Sequence, residues 1–315
     1  MNRSNRVALL MLLAWPMLAG AQSPAPPPQR AVLVTGASTG IGRKVTERLA
    51  ADGYFVFAGA RKPEDLKALG ELKNVQAVRL DVTKQDEIDA VADLISNSGR
   101  GLYGLVNNAG IVTVGTVADM KPEEFDLLMA VNLYGPYRMA KAVEPLVMAA
   151  KGRVINMGSI SGIGFSPNLM AYSMSKHALE AFNESLILQL KESGATASII
   201  EPGNYNSEIS KSAIRRLGPN AAELQDKGYR LSVDRSKYKE PDEVADAVEQ
   251  ALIEPIPKHR YLVTPNQDEA EWAINSLIGQ LVQLNEGQQY TYSRNQLVKM
   301  LDDALAHARP RTNQR

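Results

Sequence analysis

The stretch Thr35-Gly36-Ala37-Ser38-Thr39-Gly40-Ile41-Gly42 decides how this chain is read. It lies between an apolar run at 31–35 (AVLVT) and a segment in which Ile41, Val45 and Leu49 recur at helical spacing. A strand enters the turn and a helix leaves it. Glycine permits positive φ and close backbone approach. The free N–H groups and the dipole at the start of the helix favour a phosphate. The spacing is G-x3-G-x-G rather than G-x-G-x-x-G, but the strand–turn–helix context is the one a dinucleotide requires. A purely structural tight turn is the weaker reading.

The alternation continues outward. Residues 54–60 (YFVFAGA), 75–80 (VQAVRL), 102–108 (LYGLVNN) and 153–159 (RVINMGS) have strand character, as do 195–203 (ATASIIEPG) and 260–265 (RYLVTP). Helical segments separate several of them, at 63–70, 84–99, 171–194 and 240–254. Strands joined through helices predict an α/β fold with a doubly wound, Rossmann-like parallel sheet. Ligands of such sheets sit beyond the carboxyl ends of the strands.

Bulk composition excludes several classes. The 35 Lys and Arg residues balance 35 Asp and Glu, so no basic excess points to nucleic acid. Cysteine is absent, which rules out disulfides, thiolate metal sites and a thiol nucleophile. His177, His259 and His307 are far apart and show no ligand spacing, so no metal is expected.

The first 30 residues differ from the rest. Arg3 and Arg6 precede an apolar run, and Ala19-Gly20-Ala21 has the small residues of a cleavage site. This predicts a signal peptide over 1–21 that exports the chain to the periplasm or beyond. A proline-rich linker follows over 22–30, then a Rossmann-type unit over 31–265 and a helical extension over 266–315. Retained, residues 7–21 would instead anchor the chain in a membrane. A cytoplasmic chain is the third reading.

The end of the second strand selects the nucleotide. A carboxylate there would bond the ribose 2′-OH of NAD. The sequence reads Gly59-Ala60-Arg61-Lys62, with no acid. Arg61 suits a 2′-phosphate, and Arg43 and Lys62 add charge, so NADP(H) is expected over NAD(H).

Four further residues follow in order: Asn132 in VNLYG, Ser159 after NMG, then Tyr172 and Lys176 in YSMSK. On a helix Tyr172 and Lys176 share one face. With TGASTGIG and Asn107-Asn108-Ala109-Gly110, they make residues 31–265 resemble the short-chain dehydrogenase/reductase family. The resemblance implies an alcohol–carbonyl oxidoreductase with Tyr172 as general acid–base. A free tyrosine has a pKa of about 10. The Lys176 ammonium and the positive nicotinamide favour its phenolate. By the same resemblance Lys176 bonds the nicotinamide ribose and Ser159 holds the substrate oxygen. Asn132 anchors a water that links Lys176 to solvent.

The resemblance extends to the cofactor contacts. Thr35, Gly36, Ser38, Gly40, Ile41 and Gly42 form the phosphate turn. Asp81 and Val82 match the adenine contact. Asn108, with Ala109 and Gly110, steadies the central strands and the cofactor. Pro202 and Gly203 match the turn beside the nicotinamide, and Ser207 the carboxamide contact. Two of these sites have a structural reading as well: Asp81 as the cap of a helix beginning near Thr83, and Asn132 as a helix-bend residue. Gly158 replaces a small hydroxyl residue common in the family, which is expected to widen the pocket slightly.

Residues 204–240 are expected to form a mobile flap over the substrate, with Tyr205, Ile209, Ile214 and Leu217 as its apolar members. Phe165, Leu169 and Met170 are expected to make an apolar wall, which points to a lipophilic small alcohol or carbonyl compound. Arg215 and Arg216 read as a solvated charged face. In the tail, Trp272, Ile274, Leu277, Ile278, Leu281 and Leu284 predict one amphipathic helix, and Leu297, Met300, Leu301 and Leu305 another. They would cap the pocket or pack on a partner subunit. The resemblance also implies a homodimer or homotetramer through the helices holding Asn132 and Tyr172. Two rival readings remain. One is a nucleotide-binding sensor of this fold without turnover, which the complete Asn–Ser–Tyr–Lys set speaks against. The other is an epimerase or dehydratase, whose larger substrate domain the segment after 203 does not offer.

Overall fold

The computed structural model describes residues 29–229 and 237–307. The expected signal peptide, and the linker except Gln29 and Arg30, lie outside the described residues. No helix among the described residues is long and apolar enough to cross a membrane.

Seven parallel strands form one sheet in the order β3-β2-β1-β4-β5-β6-β7. They are β1 (Ala31–Val34), β2 (Phe55–Ala60), β3 (Val75–Arg79), β4 (Gly104–Asn107), β5 (Arg153–Met157), β6 (Thr196–Pro202) and β7 (Arg260–Val263). The chain steps outward from β1 to β3 and returns to β4 on the other side of β1. That return makes the switch point where a crevice opens at the strands' carboxyl ends.

Alternation within the strands supplies two cores. Val32 and Val34 of β1 face α1 (Gly40–Ala51) and α9 (Asp242–Ile253), where Val45, Leu49, Val244 and Val248 are buried. Ala31 and Leu33 face the opposite layer. There α3 (Gln85–Asn97), α5 (Gly135–Ala149) and α6 (Met170–Leu190) contribute Ile88, Met139, Val143 and Leu186. The remaining helix before β4 is the short α2 (Pro63–Gly70).

The stretch between β4 and β5 holds α4 (Pro122–Met129) and α5, which the apolar periodicity did not announce. Prolines at 122, 136 and 145 interrupt it, and a π-helical turn, Ala130–Tyr134, joins the two helices. Of the expected flap over 204–240, residues 230–236 lie outside the described residues. Residues 204–229 hold two helices, α7 (Ile209–Leu217) and α8 (Pro219–Asp226). Leu217, Ala221, Leu224 and Tyr229 pack with Val114 in a small core of their own. Its members are few and spaced among polar residues, so composition concealed it.

Two helices follow β7: α10 (Gln267–Asn285) and α11 (Arg294–His307). Of α10 only Ala273 is fully buried, and α11 buries none of its residues.

Candidate active site

The ends of β1, β2, β4, β5 and β6 surround a cavity of ≈ 870 Å³. On one side lies the glycine turn. Gly36 and Gly40 adopt φ of 65° and 56°, which disfavours a side chain. At Gly42 the reason is space: a Cβ there would run into Asn108 Nδ2 and the Gly36 carbonyl. Thr35 is buried behind the turn, and its Oγ1 accepts hydrogen bonds from the N–H groups of Asn108 and Ala109, each at 3.0 Å. Asn108 Nδ2 donates to the carbonyls of Thr35 (2.9 Å) and Gly36 (3.1 Å). The turn is thereby tied to the end of β4. Helix α1 starts there with no acid in its first turn, so nothing in that turn neutralises its positive end. A bare backbone, a helix N-terminus and a long cleft fit the pyrophosphate of a dinucleotide.

Gly36, Ser38, Gly40, Ile41 and Gly42 all line the cavity, and so do Asn108, Ala109 and Gly110. Arg61, Lys62, Asp81 and Val82 line its outer end, and Pro202, Gly203 and Ser207 its inner end. Asp81 is not the cap of α3, because Lys84 holds that position; Asp81 makes a local turn instead. Its Oδ1 accepts from the Thr83 N–H (3.0 Å) and hydroxyl (2.7 Å), while the side chain borders the cavity. Burial raises its pKa, but the Thr83 bonds, Arg61 and Lys84 outweigh that and hold it below the ordinary value. The Arg61 guanidinium stands 3.9 Å from Asp81 Oδ2 and is largely exposed.

Ser159, Tyr172 and Lys176 meet on the opposite wall. Ser159 follows β5 in extended backbone, and its Oγ accepts from the Ser161 N–H at 3.1 Å. Tyr172 and Lys176 lie in the first turns of α6, with the ammonium 5.7 Å from the phenol ring centre. Lys176 is buried, and its Nζ donates to the Met157 carbonyl at 2.6 Å. That burial lowers its pKa to about 8, against the opposing charge of Glu180.

Thr35 and Asn132 do not line the cavity; they support it from behind. Asn132 sits in the π-helical turn, a local irregularity frequent at functional sites. Its Oδ1 accepts from the Ile111 N–H (2.9 Å), and its Nδ2 donates to the Ile111 carbonyl (2.9 Å) and to Ser175 Oγ (3.2 Å). It thus locks the loop after β4 to α6. Below it, Asn107 donates to Asn156 and Asn156 to Asn183, both at 3.0 Å, a buried amide ladder that fixes α6 against β4 and β5.

Several expectations need correction. Of the apolar wall, only Leu169 borders the cavity; Phe165 is 66 % exposed, and Met170 stays off the lining. Gly158 does not widen the pocket, because a Cβ there would meet Ile199 at 2.9 Å and Glu180 Oε1 at 3.1 Å. Arg216 is not a solvated charge: it pairs with Glu124 and donates to the Val112 carbonyl, both at 2.9 Å.

The tail contributes more than its amphipathic pattern indicated. Glu269 Oε2 accepts from the Asn204 N–H at 2.7 Å, and the missing side chain of Gly203 makes room for it. Trp272 stands against Gly164, and both Glu269 and Trp272 border the cavity. The spacing of Asn266, which caps α10, and Glu269 announces the start of a helix but not this reach across the site.

A parallel sheet whose switch point holds a glycine turn thus faces a wall of Ser159, Tyr172 and Lys176 across one cavity. Residues 30–217 match the short chain dehydrogenase family. The mitochondrial D-beta-hydroxybutyrate dehydrogenase of Bos taurus is 36 % identical over 191 residues, 58 % of this chain and 56 % of that protein. Two solved structures share the fold. A short chain dehydrogenase/reductase from Burkholderia phymatum in complex with NAD has a TM-score of 0.69 at 21 % identity and covers 84 % of this chain and 98 % of its own. A single-substitution variant of actinorhodin polyketide ketoreductase with NADPH has a TM-score of 0.63 at 28 % identity, covering 75 % and 95 %. The chain belongs to the short chain dehydrogenase family and is an oxidoreductase of that family.

Proposed function

We propose that this protein interconverts an alcohol and a ketone or aldehyde on a lipophilic small molecule, with NADP(H) preferred over NAD(H). The reading rests on Ser159, Tyr172 and Lys176 sharing one cavity with the glycine turn. In reduction, the Tyr172 hydroxyl gives its proton to the substrate oxygen while Ser159 holds that oxygen by a hydrogen bond. The Lys176 ammonium stands 5.7 Å from the Tyr172 ring centre, where its charge would favour proton release, and would bond the ribose of the nucleotide. Asn132, behind the loop at Ile111, anchors the water through which Lys176 regains a proton from solvent. A nucleotide held in this cavity would supply or accept the hydride. Gly36, Gly40 and Gly42 would hold the pyrophosphate, Asp81 and Val82 the adenine, and Pro202, Gly203 and Ser207 the nicotinamide end.

The preference for NADP(H) is supported by Arg61 and Lys62 at the rim, where no acid ends β2. Val112, Val114 and Leu169 supply apolar lining for the substrate. A short hydroxy acid is a second reading. Arg215 borders the same cavity, and the bovine relative acts on hydroxybutyrate. Assembly through α5 and α6 is consistent with exposed Tyr137, Met174 and Leu188 on those helices. Export by residues 1–21 belongs to the same proposal and would require cofactor to leave with the protein.

A paired titration of the full chain with NADPH and NADH, followed by nucleotide fluorescence, tests this reading. NADPH is expected to bind about tenfold tighter, and Arg61→Ala to remove most of that difference, since a charged pair is worth about 1.5–3 kcal/mol. Equal affinities in the parent would overturn the role of Arg61. Failure to bind either nucleotide would overturn the function.

A further inference from the structure

Tyr172, Lys176 and Glu180 succeed one another at four-residue steps on α6, so they share one face. The first two border the cavity, and the third lies beneath it. The Glu180 side chain is 12 % exposed, and its Oε2 lies 3.0 Å from the Arg260 guanidinium of β7 as an ion pair. The same guanidinium bonds Glu201 of β6, which is 2 % exposed. Two buried carboxyls therefore share one cation. On its other side, Glu180 faces the turn that carries Ser159. A Cβ on Gly158 or Gly162 would approach Glu180 Oε1 at 3.1 and 3.0 Å. A side chain at either position would crowd the carboxyl, together with Ile199 at Gly158 and the Lys176 carbonyl at Gly162.

We propose that Glu180, held by Arg260 and Glu201, is a positioning residue of this site: it seats the Ser159 turn on α6 and sets the charge felt by Lys176. The proposal rests on the reading of Ser159 and Lys176 given above. The charged and titratable groups facing Glu180 are Lys176 on its own helix, Glu201 on β6 and Arg260 on β7; the turn Ile160–Gly162 contributes none. Burial first, and then the Glu201 charge, push the Glu180 carboxyl up to about 8, and Arg260 and Lys176 only partly oppose them. At neutral pH the Glu180 carboxyl thus still favours its protonated form. Loss of that proton places a negative charge beside Lys176, which then keeps its own proton to higher pH.

A carboxyl raised from 4.5 to about 8 in the fold binds more proton than in the unfolded chain between those values. Its contribution to stability is full below pH 4.5 and is lost as pH rises towards 8.

Glu180→Gln keeps the volume and removes the titration. It should match the parent in thermal stability near pH 5 and exceed it increasingly towards about pH 8. Its kcat at about pH 7 should fall modestly, by about threefold, with the alkaline limb of kcat/KM moved about half a pH unit lower. Glu180→Ala should cost about tenfold or more in kcat, with nucleotide affinity within about twofold. A constant stability difference across pH, or an unmoved alkaline limb, in a parent that turns over would overturn the positioning role alone. A parent that reduces no carbonyl compound would overturn the enzyme reading and this role with it. The two failures are therefore distinguishable.

Discussion

The two sides of the cavity are built differently. The nucleotide side is made of backbone: Gly36, Gly40, Gly42 and the N-terminus of α1, tied to β4 by Thr35 and Asn108. The substrate side is made of side chains from separate elements: Leu169, α7, and Glu269 and Trp272 from the extension. A backbone site tolerates little change, because a Cβ added at Gly36 or Gly42 meets main chain. A side-chain site can be re-cut residue by residue, at the cost of being hard to read in advance.

The largest expected effect acts where the two sides meet. On the proposed mechanism Tyr172→Phe removes the proton donor but not the ring, and general acid–base catalysis supplies about 10²–10⁴-fold. Steady-state rates should fall by about that factor, with nucleotide binding within about twofold. Loss of binding as well would mean that Tyr172 belongs to the nucleotide side. On that side Gly42→Ala should weaken NADPH binding by about tenfold or more, because overpacking against Asn108 and Gly36 costs about 1–3 kcal/mol. Undiminished affinity would show the turn to be softer than its contacts imply. On the substrate side Trp272→Ala should change KM for large carbonyl compounds only several-fold, with nucleotide affinity within about twofold. An equal effect on the nucleotide would erase the distinction between the two sides.

The same contrast explains what the sequence disclosed. TGASTGIG is contiguous, and its chemistry is set by local backbone geometry, so one strand–turn–helix window carries it. The seven strands were legible because apolar runs of strand length recur between helical segments. Ser159, Tyr172 and Lys176 lie within 18 residues and are held by one strand and one helix. The helices between β4 and β5 were not legible, since their prolines and a π-helical turn break the period. The Glu180–Glu201–Arg260 cluster joins residues from α6, β6 and β7, and each is an ordinary charged residue until the sheet brings them together. Trp272 belongs to the helix expected to cap the pocket or pack on a partner, and it does border the cavity. Glu269 lies ahead of the apolar pattern, so nothing in the sequence marks its reach to the cavity. Most of the apolar face of that helix stays exposed.

The central claim is that this cavity transfers hydride between NADP(H) and a carbonyl compound. The most direct test is NADPH consumption by the full chain against a panel of lipophilic ketones, aldehydes and short 3-oxo acids, with product alcohol measured alongside. The account predicts NADPH oxidation matched one to one by alcohol with at least one of them. Tight NADPH binding with no alcohol formed from any member would contradict it and leave a nucleotide sensor built on the same fold.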